Sequence, residues 1–431
     1  MKKYDEYKDS GVAWIGEVPK HWKIRKIKTL SAVKRGASPR PIDDPKYFAE
    51  DGEFSWVRIA DVSASDKYLT TTTQKLSKLG SSLSVKRLPG DIFISIAGTV
   101  GKPIISSIKC CIHDGFVYFP YLKNMNTEFL YYIFMSGQPY LGLGKMGTQL
   151  NLNTETIGNI DIPYPPITEQ TAIATYLDTH CAKIDNLISI QQKRIALLQE
   201  LKQSVITHAV TKGLNPNVEM KQSGVEWIGD VPKHWEVIKT SLAFQGIGSG
   251  TTPSTSKKEY YDDNGKYWLQ TGDLEDGIVY DTSKKVSNIA IKECNLTFYP
   301  IESIIIAMYG ATIGKVGILG IESATNQACC VIPVTKKQIA KYFFYEFLAC
   351  KPALLIAAIG GGQPNISQDT IKKLKIVIPP INEQTAIASY LDHKCATIDT
   401  SISNAQHQIE LLQEYKQSLI TEVVTGKYKV C

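Results

Sequence analysis

The sequence predicts two mixed α/β (α+β) domains of one design, joined by two long, antiparallel, coiled-coil-like helices related by an internal pseudo-two-fold. Three observations carry this expectation. Two stretches recur nearly unchanged at an offset of about 213 residues. The segments between them diverge. Each copy then ends in apolar positions that alternate spacings of four and three, the pattern of a helix packing on a helix.

The first recurring stretch is Ser10-Gly-Val-Ala-Trp-Ile-Gly-Glu-Val-Pro-Lys-His-Trp22, which returns as Ser223-Gly-Val-Glu-Trp-Ile-Gly-Asp-Val-Pro-Lys-His-Trp235. The second is Glu169-Gln-Thr-Ala-Ile-Ala-Thr-Tyr-Leu-Asp178, which returns as Glu383-Gln-Thr-Ala-Ile-Ala-Ser-Tyr-Leu-Asp392. A period this long excludes a solenoid and implies tandem duplication of one large unit. The expected organisation is a head segment (1–22), a first middle domain (23–165), a helical spacer (166–213), a linker with the second head (214–235), a second middle domain (236–378) and a second spacer (379–431).

Within the middles only landmarks correspond. Gly98-Thr-Val-Gly-Lys102 answers to Gly310-Ala-Thr-Ile-Gly-Lys315, and Gln149-Leu-Asn-Leu152 to Gln363-Pro-Asn-Ile366. Strands are expected at 55–59, 91–96, 266–270 and 303–308, and aromatic-rich buried helices at 126–135 and 336–349. Loops rich in Gly, Pro and Ser lie at 34–40 and 246–253.

Pro165-Pro166 and Pro379-Pro380 stop the preceding strands, because proline cannot donate to a ladder. Thr168 and Asn382 stand as N-caps, with Glu169 and Glu383 in the first turn where a carboxylate suits the helix dipole. A short helix to about residue 177 leads into a longer one. Its seam is Ile184, Ile188, Gln191, Ile195, Leu198, Lys202 and Val205 in the first copy. In the second it is Ile398, Ile402, Ala405, Ile409, Leu412, Lys416 and Leu419. The polar Gln191, Lys202 and Lys416 make it imperfect. Gly213, followed by Asn215-Pro216, ends the first helix. The alternative has each helix packing on its own domain. Antiparallel pairing is preferred because duplication supplies a matched partner. It places the end of the second helix near residues 10–22, as the first ends near 223–235.

Composition narrows the function classes. A hydrophobic content of 43% and a charged content of 21% suit a globular chain with cores, and a formal charge of +6 permits a local basic surface without requiring one. The nine cysteines show no CxxC pair, as expected of reduced thiols in a cytoplasmic protein. The polar first residues lack a signal core, and no apolar run reaches about 18 residues, so no membrane span is expected.

No catalytic constellation emerges. The Gly98 and Gly310 segments miss GxxxxGK[ST] spacing and read as strand-to-strand turns. Gly246-Ile-Gly-Ser-Gly250 misses GxGxxG. Tyr-Pro-Pro-Ile and Ile-Pro-Pro-Ile lack the Asn or Asp that an amino-methyltransferase places before Pro-Pro. His21 and His234 read as packing beside Trp22 and Trp235, and Cys110-Cys111 and Cys329-Cys330 as core residues without metal spacing.

The assembled elements resemble the specificity subunit of type I restriction–modification enzymes. The carrying residues are the doubled head segment, Pro-Pro-Ile-Thr-Glu-Gln (165–170) with Pro-Pro-Ile-Asn-Glu-Gln (379–384), and Leu197-Leu-Gln-Glu-Leu-Lys-Gln-Ser204 with Leu411-Leu-Gln-Glu-Tyr-Lys-Gln-Ser418. The resemblance implies that each middle is a target-recognition domain reading one half of a bipartite, asymmetric site on double-stranded DNA. It implies that the helices set the gap between half-sites and, with the heads, dock two methyltransferase subunits, while motor–nuclease subunits add cleavage. S-adenosylmethionine, ATP and Mg then belong to those partners, and this chain binds no cofactor or metal. A silent or phase-variable copy, or a protein-binding adaptor, is the alternative. A helix of about 28 residues spans about 42 Å, comparable with half-sites one turn apart at about 34–36 Å.

Phosphates are met by Lys, Arg and loop amides, and base edges by Arg, Lys, Asn and Gln. The expected DNA contacts are Lys34, Arg35, Arg40, Arg58, Lys102, Lys145 and Gln149 in the first domain. In the second they are Thr251, Lys257, Lys258, Gln270, Lys315, Gln363 and Asn365.

Overall fold

The computed structural model describes residues 2–141, 143, 152–356, 358 and 365–430. Contacts gather into two compact units. One is Met1–Gln191 with His407–Cys431; the other is Gln192–Gln406. Each unit therefore holds a middle domain and half of each long helix.

Four helices frame the two units: α1 (Thr127–Met135), α2 (Ile167–Lys212), α3 (Ala340–Ala349) and α4 (Ile381–Val424). In the first unit a five-stranded sheet runs in the order Lys34–Arg35, Phe116–Tyr118, Ile92–Ser95, Pro103–Ser106, Tyr68–Leu69. A four-stranded sheet follows the order Gln74–Leu76, Phe54–Val57, Cys110–Ile112, Val85–Arg87. The second unit repeats both orders. Its five strands are Gly248–Ser249, Cys329–Ile332, Ile304–Ala307, Val316–Leu319 and Gly277–Val279. Its four are Lys285–Val286, Tyr261–Leu269, Ser323–Thr325 and Phe298–Tyr299. Parallel pairs fall at the same places, Ile105 with Tyr68 and Cys110 with Ser55 in one unit, Gly317 with Gly277 and Trp268 with Ala324 in the other. Every residue of the central strands Ile92–Ser95 and Ile304–Ala307 is buried, which is why they read as unbroken apolar runs.

The Gly98 and Gly310 segments form the expected turns, joining the antiparallel strands Ile92–Ser95 to Pro103–Ser106 and Ile304–Ala307 to Val316–Leu319. The cysteine pairs are buried and occupy different sheets, so they are not equivalents. Some boundaries differ from expectation. Ile59 opens a short helix (Ile59–Ala64) instead of ending a strand. The second aromatic helix starts at Ala340, not at 336.

The largest correction concerns the long helices. There is no separate short helix: α2 is one continuous run of 46 residues and α4 one of 44. Both begin one residue before the expected N-caps, so Thr168 and Asn382 lie in the first turn. The Thr171 hydroxyl donates back to the Ile167 carbonyl at 3.0 Å, within the first turn.

The helices pack antiparallel. Lys416 Nζ lies 2.6 Å from Asp185 Oδ1 in the first unit, and Lys202 Nζ 2.7 Å from Asp399 Oδ1 in the second. Numbers rise along one helix as they fall along the other. The two lysines that interrupt the apolar seam are thus its ion-pair partners. Ile184 and Leu419 are buried in the first unit with Ile188 and Leu412 partly buried beside them. Ile398 and Ile409 are buried, while Ile195, Leu198, Val205 and Ile402 are half-buried.

Each helix stops on a glycine in the left-handed region, Gly213 at φ +75° and Gly426 at φ +73°. A Cβ on Gly213 would stand 3.1 Å from Trp235, and one on Gly426 2.9 Å from Trp22. Each helix end therefore meets a head segment, as the duplication predicts. Among the described residues, no helix is long and apolar enough to cross a membrane.

Candidate nucleic-acid interface

The recurring motifs form clasps that hold each middle domain on its helix. Strand Asp161–Tyr164 pairs with Lys23–Lys26, and Lys375–Ile378 pairs with Glu236–Lys239. This pairing sets each head tryptophan beside the Pro-Pro helix start. Trp22 Nε1 donates to Glu169 Oε2 at 2.9 Å and His21 Nε2 lies 2.7 Å from Glu169 Oε1. Trp235 and His234 meet Glu383 at 3.0 and 2.7 Å. Both indoles are fully buried, so this carboxylate satisfies an N–H that would otherwise cost about 1–3 kcal/mol. The following glutamine completes each clasp. Gln170 donates to the Pro165 carbonyl at 2.8 Å and accepts from the Asn126 amide at 2.8 Å, at the start of α1. Gln384 does the same with Pro379 at 2.9 Å and Ile339 at 3.1 Å, at the start of α3. Tyr132 of α1 donates to Asp178, and Tyr345 of α3 to Asp392 at 2.9 Å. The histidines are partners of a carboxylate and not merely packed.

The structure gathers three of the seven candidates in the first unit. Lys34 and Arg35 form an exposed two-residue strand paired with Tyr118 and Val117. Arg35 Nε donates to the Asp114 carbonyl, and Arg40 Nη2 lies 2.9 Å from Asp114 Oδ2. Ser38 Oγ donates to Asp114 Oδ1 at 2.8 Å. Burial pushes the Asp114 pKa up, but the Ser38 hydrogen bond and the Arg40 charge outweigh it and hold the carboxyl below its ordinary value. Burial holds the neighbouring His113 down, and Arg58 and Arg35 add to that against the Asp114 charge. Arg58 thus stands with Arg35 and Arg40 around the turn at His113–Asp114. Its guanidinium is 3.9 Å from Asp43, an exposed and weak contact. Lys102 stands apart, its ammonium donating to the Ser63 and Ser65 carbonyls at 3.2 and 2.6 Å, with its pKa lowered by burial.

In the second unit Thr251 is exposed and its carbonyl accepts from Trp268 Nε1 at 3.1 Å. That ties its loop to the strand ending just before Gln270. Lys257 lies 2.7 Å from the Tyr260 hydroxyl and 3.2 Å from Glu293, bonds that raise its pKa. Lys258 is exposed, Lys315 half-buried, and Asn365 bridges to Tyr309. Lys145, Gln149 and Gln363 lie outside the described residues.

Sequence reasoning missed the acids that position these groups. Asp61 and Asp273 each stand three residues after a candidate, the spacing of a capping box, and that signal was readable. Among the described residues no group of three or more His, Cys, Asp or Glu could hold a metal ion.

Residues 19–200 and 232–411 each match the type I restriction modification DNA specificity domain, and the two matches together cover most of the chain. The chain belongs to that family. It is a non-catalytic specificity subunit with two DNA specificity domains, and its task is sequence-specific DNA recognition. It is 26% identical over 440 residues to the putative type I restriction enzyme MjaX specificity subunit of Methanocaldococcus jannaschii, covering 96% of each chain. It is 22% identical to the EcoKI specificity subunit of Escherichia coli K12, covering 96% of this chain and 90% of that one. In fold, it resembles a chain from a type I R-M system studied for complex assembly and conformational transition, with a TM-score of 0.74 at 15% identity, over 95% of this chain and 99% of that one. The HsdS subunit from Thermoanaerobacter tengcongensis aligns with a TM-score of 0.51 at 15% identity, over 95% and 98%.

Proposed function

We propose that each unit of this specificity subunit reads one half of a split, asymmetric DNA site, and that the paired helices fix the gap and dock two methyltransferase subunits. The observation that carries this reading is one strand topology repeated with different polar groups: arginines around Asp114 in the first unit, the exposed Thr251 and half-buried Gln270 in the second. Two unlike readers give an asymmetric site, where a homodimer would give a palindrome. Lys34, Arg35, Arg40, Arg58 and Lys102, with Lys145 and Gln149, serve the first half. Thr251, Lys257, Lys258, Gln270, Lys315, Gln363 and Asn365 serve the second.

Docking is supported by exposed apolar pairs at equivalent helix positions. Leu197 and Leu201 are 64% and 49% exposed in the second unit, and Leu411 and Tyr415 are 50% and 51% exposed in the first. Such side chains on otherwise polar helices mark an interaction surface. S-adenosylmethionine, ATP and Mg act in the methyltransferase and motor–nuclease partners, in the cytoplasm.

The test is a genome-wide map of N6-methyladenine in cells expressing this chain with its methyltransferase. A split motif with one methylated adenine on each strand is expected, and exchanging residues 23–165 should change one half only. A blank map beside an active methyltransferase would instead identify a silent copy or an adaptor.

A further inference from the structure

The two units share a loop-and-turn cradle whose backbone is the same and whose side chains differ. In the first, a Cβ on Gly36 would sit 2.1 Å from the His113 carbonyl oxygen and 2.7 Å from that of Ile112; in the second, one on Gly250 would sit 1.7 Å from that of Thr325, the counterpart of Ile112. Only glycine allows this approach, so each loop is pinned against the end of the adjacent strand. The turn beyond is also the same: the Gly115 amide donates to His113 Nδ1 at 2.8 Å, and the Ala328 amide to Asn326 Oδ1 at 3.2 Å.

Residues 58 and 270 leave the neighbouring strand at one equivalent point, after Phe54–Val57 and after Tyr261–Leu269, which pair in parallel with Cys110–Ile112 and Ser323–Thr325. Each has its backbone N–H held by a carboxylate three residues on, Arg58 by Asp61 at 2.8 Å and Gln270 by Asp273 at 2.8 Å. Each carboxylate also takes a second amide, from Thr73 at 3.2 Å and from Ser283 at 3.1 Å. Four amides and two carboxylates thus give two side chains one launching direction. The surroundings follow the same split. Arg35 pairs with Val117 where Ser249 pairs with Cys330, so an arginine in the first unit stands at the strand position that a serine takes in the second.

We infer that Arg58 and Gln270 are the equivalent base readers of the two units, so that one half-site carries a guanine and the other an adenine at matching positions. The arginine fork donates two N–H groups to guanine O6 and N7. The glutamine amide accepts from adenine N6 and donates to N7. A backbone N–H held by a carboxylate at each position gives these bidentate pairs their geometry. The inference rests on the half-site reading proposed above.

It is tested by selecting bound duplexes from a random library with the chain assembled on its methyltransferase subunits. Arg58→Gln should reduce the preference for guanine at one position by about 10- to 100-fold and leave the other half-site unchanged. Gln270→Arg should alter one position of the opposite half. Arg58→Lys keeps the charge and loses the fork, so affinity should persist while guanine discrimination falls. Unchanged motifs in all three variants would overturn the inference. So would a uniform loss across sequences with the salt slope reduced by about one, the mark of a phosphate contact. A wild-type chain that selects no split motif would overturn the half-site reading itself, and this inference with it.

Discussion

The two units have one strand order and one set of clasps, yet their cores and exposed edges differ. At Ile133 of α1 the first unit buries an isoleucine; at Glu346 of α3 the second buries a carboxyl group. These positions are equivalent, because each follows the tyrosine that bonds the helix aspartate, Tyr132 with Asp178 and Tyr345 with Asp392. The difference teaches which parts of the design are shared. Groups that hold a domain to its helix are kept in both copies, while groups beyond that contact vary, inside the domain as well as on its surface.

The clasps are the place where the two units should behave alike. Trp22→Ala and Trp235→Ala each remove a fully buried indole together with the partner of Glu169 or Glu383. Each should cost about 3–5 kcal/mol, read as a fall in the urea midpoint. A large loss from one and none from the other would break the equivalence.

The buried acid should separate the units. Burial pushes the Glu346 pKa up to about 8, against hydrogen bonds from the Val377 amide and the Tyr342 hydroxyl. The folded state therefore keeps a proton that the unfolded chain releases near the ordinary value of 4.5. Stability contributed by this group is intact below pH 4.5, falls as the pH rises through the window, and is fully lost above about 8. The loss is on the order of a few kcal/mol. Glu346→Gln should flatten that part of the pH–stability curve, measured by urea unfolding from pH 4.5 to 8.5. Persistence of the slope in the variant would assign it to other groups.

The smallest effect belongs to the helix ion pairs. Lys416 and Asp185 are 27% and 51% exposed, and Lys202 and Asp399 are 30% and 52% exposed. Double-mutant cycles should return about 0.2–1 kcal/mol for each pair, declining with added salt. Similar coupling energies would sharpen the symmetry of the seam. Values far apart would show that one unit relies on its pair more than the other.

Much of this was legible in the sequence because duplication printed it twice. The head segments, the Pro-Pro-Ile-x-Glu-Gln starts, the glycine stops and the four-three spacing all recur. Their recurrence located the helices and the meeting of helix ends with head segments. The bonds themselves were not legible. Glu169 reads locally as a dipole-favoured acid, because its tryptophan lies 147 residues away in sequence. The unbroken length of α2 escaped too. The local pattern suggests a short helix to about residue 177 before the long one, and the fold runs both together as Ile167–Lys212.

By itself the sequence determined the duplication, the strand and helix types and the residue chemistry available for reading DNA, since these depend on periodicity and side-chain identity. Only the tertiary structure decided which charges are spent internally and which face outward. Lys102 is turned onto backbone carbonyls and Lys202 and Lys416 onto helix aspartates, while the backbone N–H groups of Arg58 and Gln270 are held alike by Asp61 and Asp273. A lysine or arginine has the same reach in every sequence. What it meets is set by segments tens to hundreds of residues away, and packing alone brings them together.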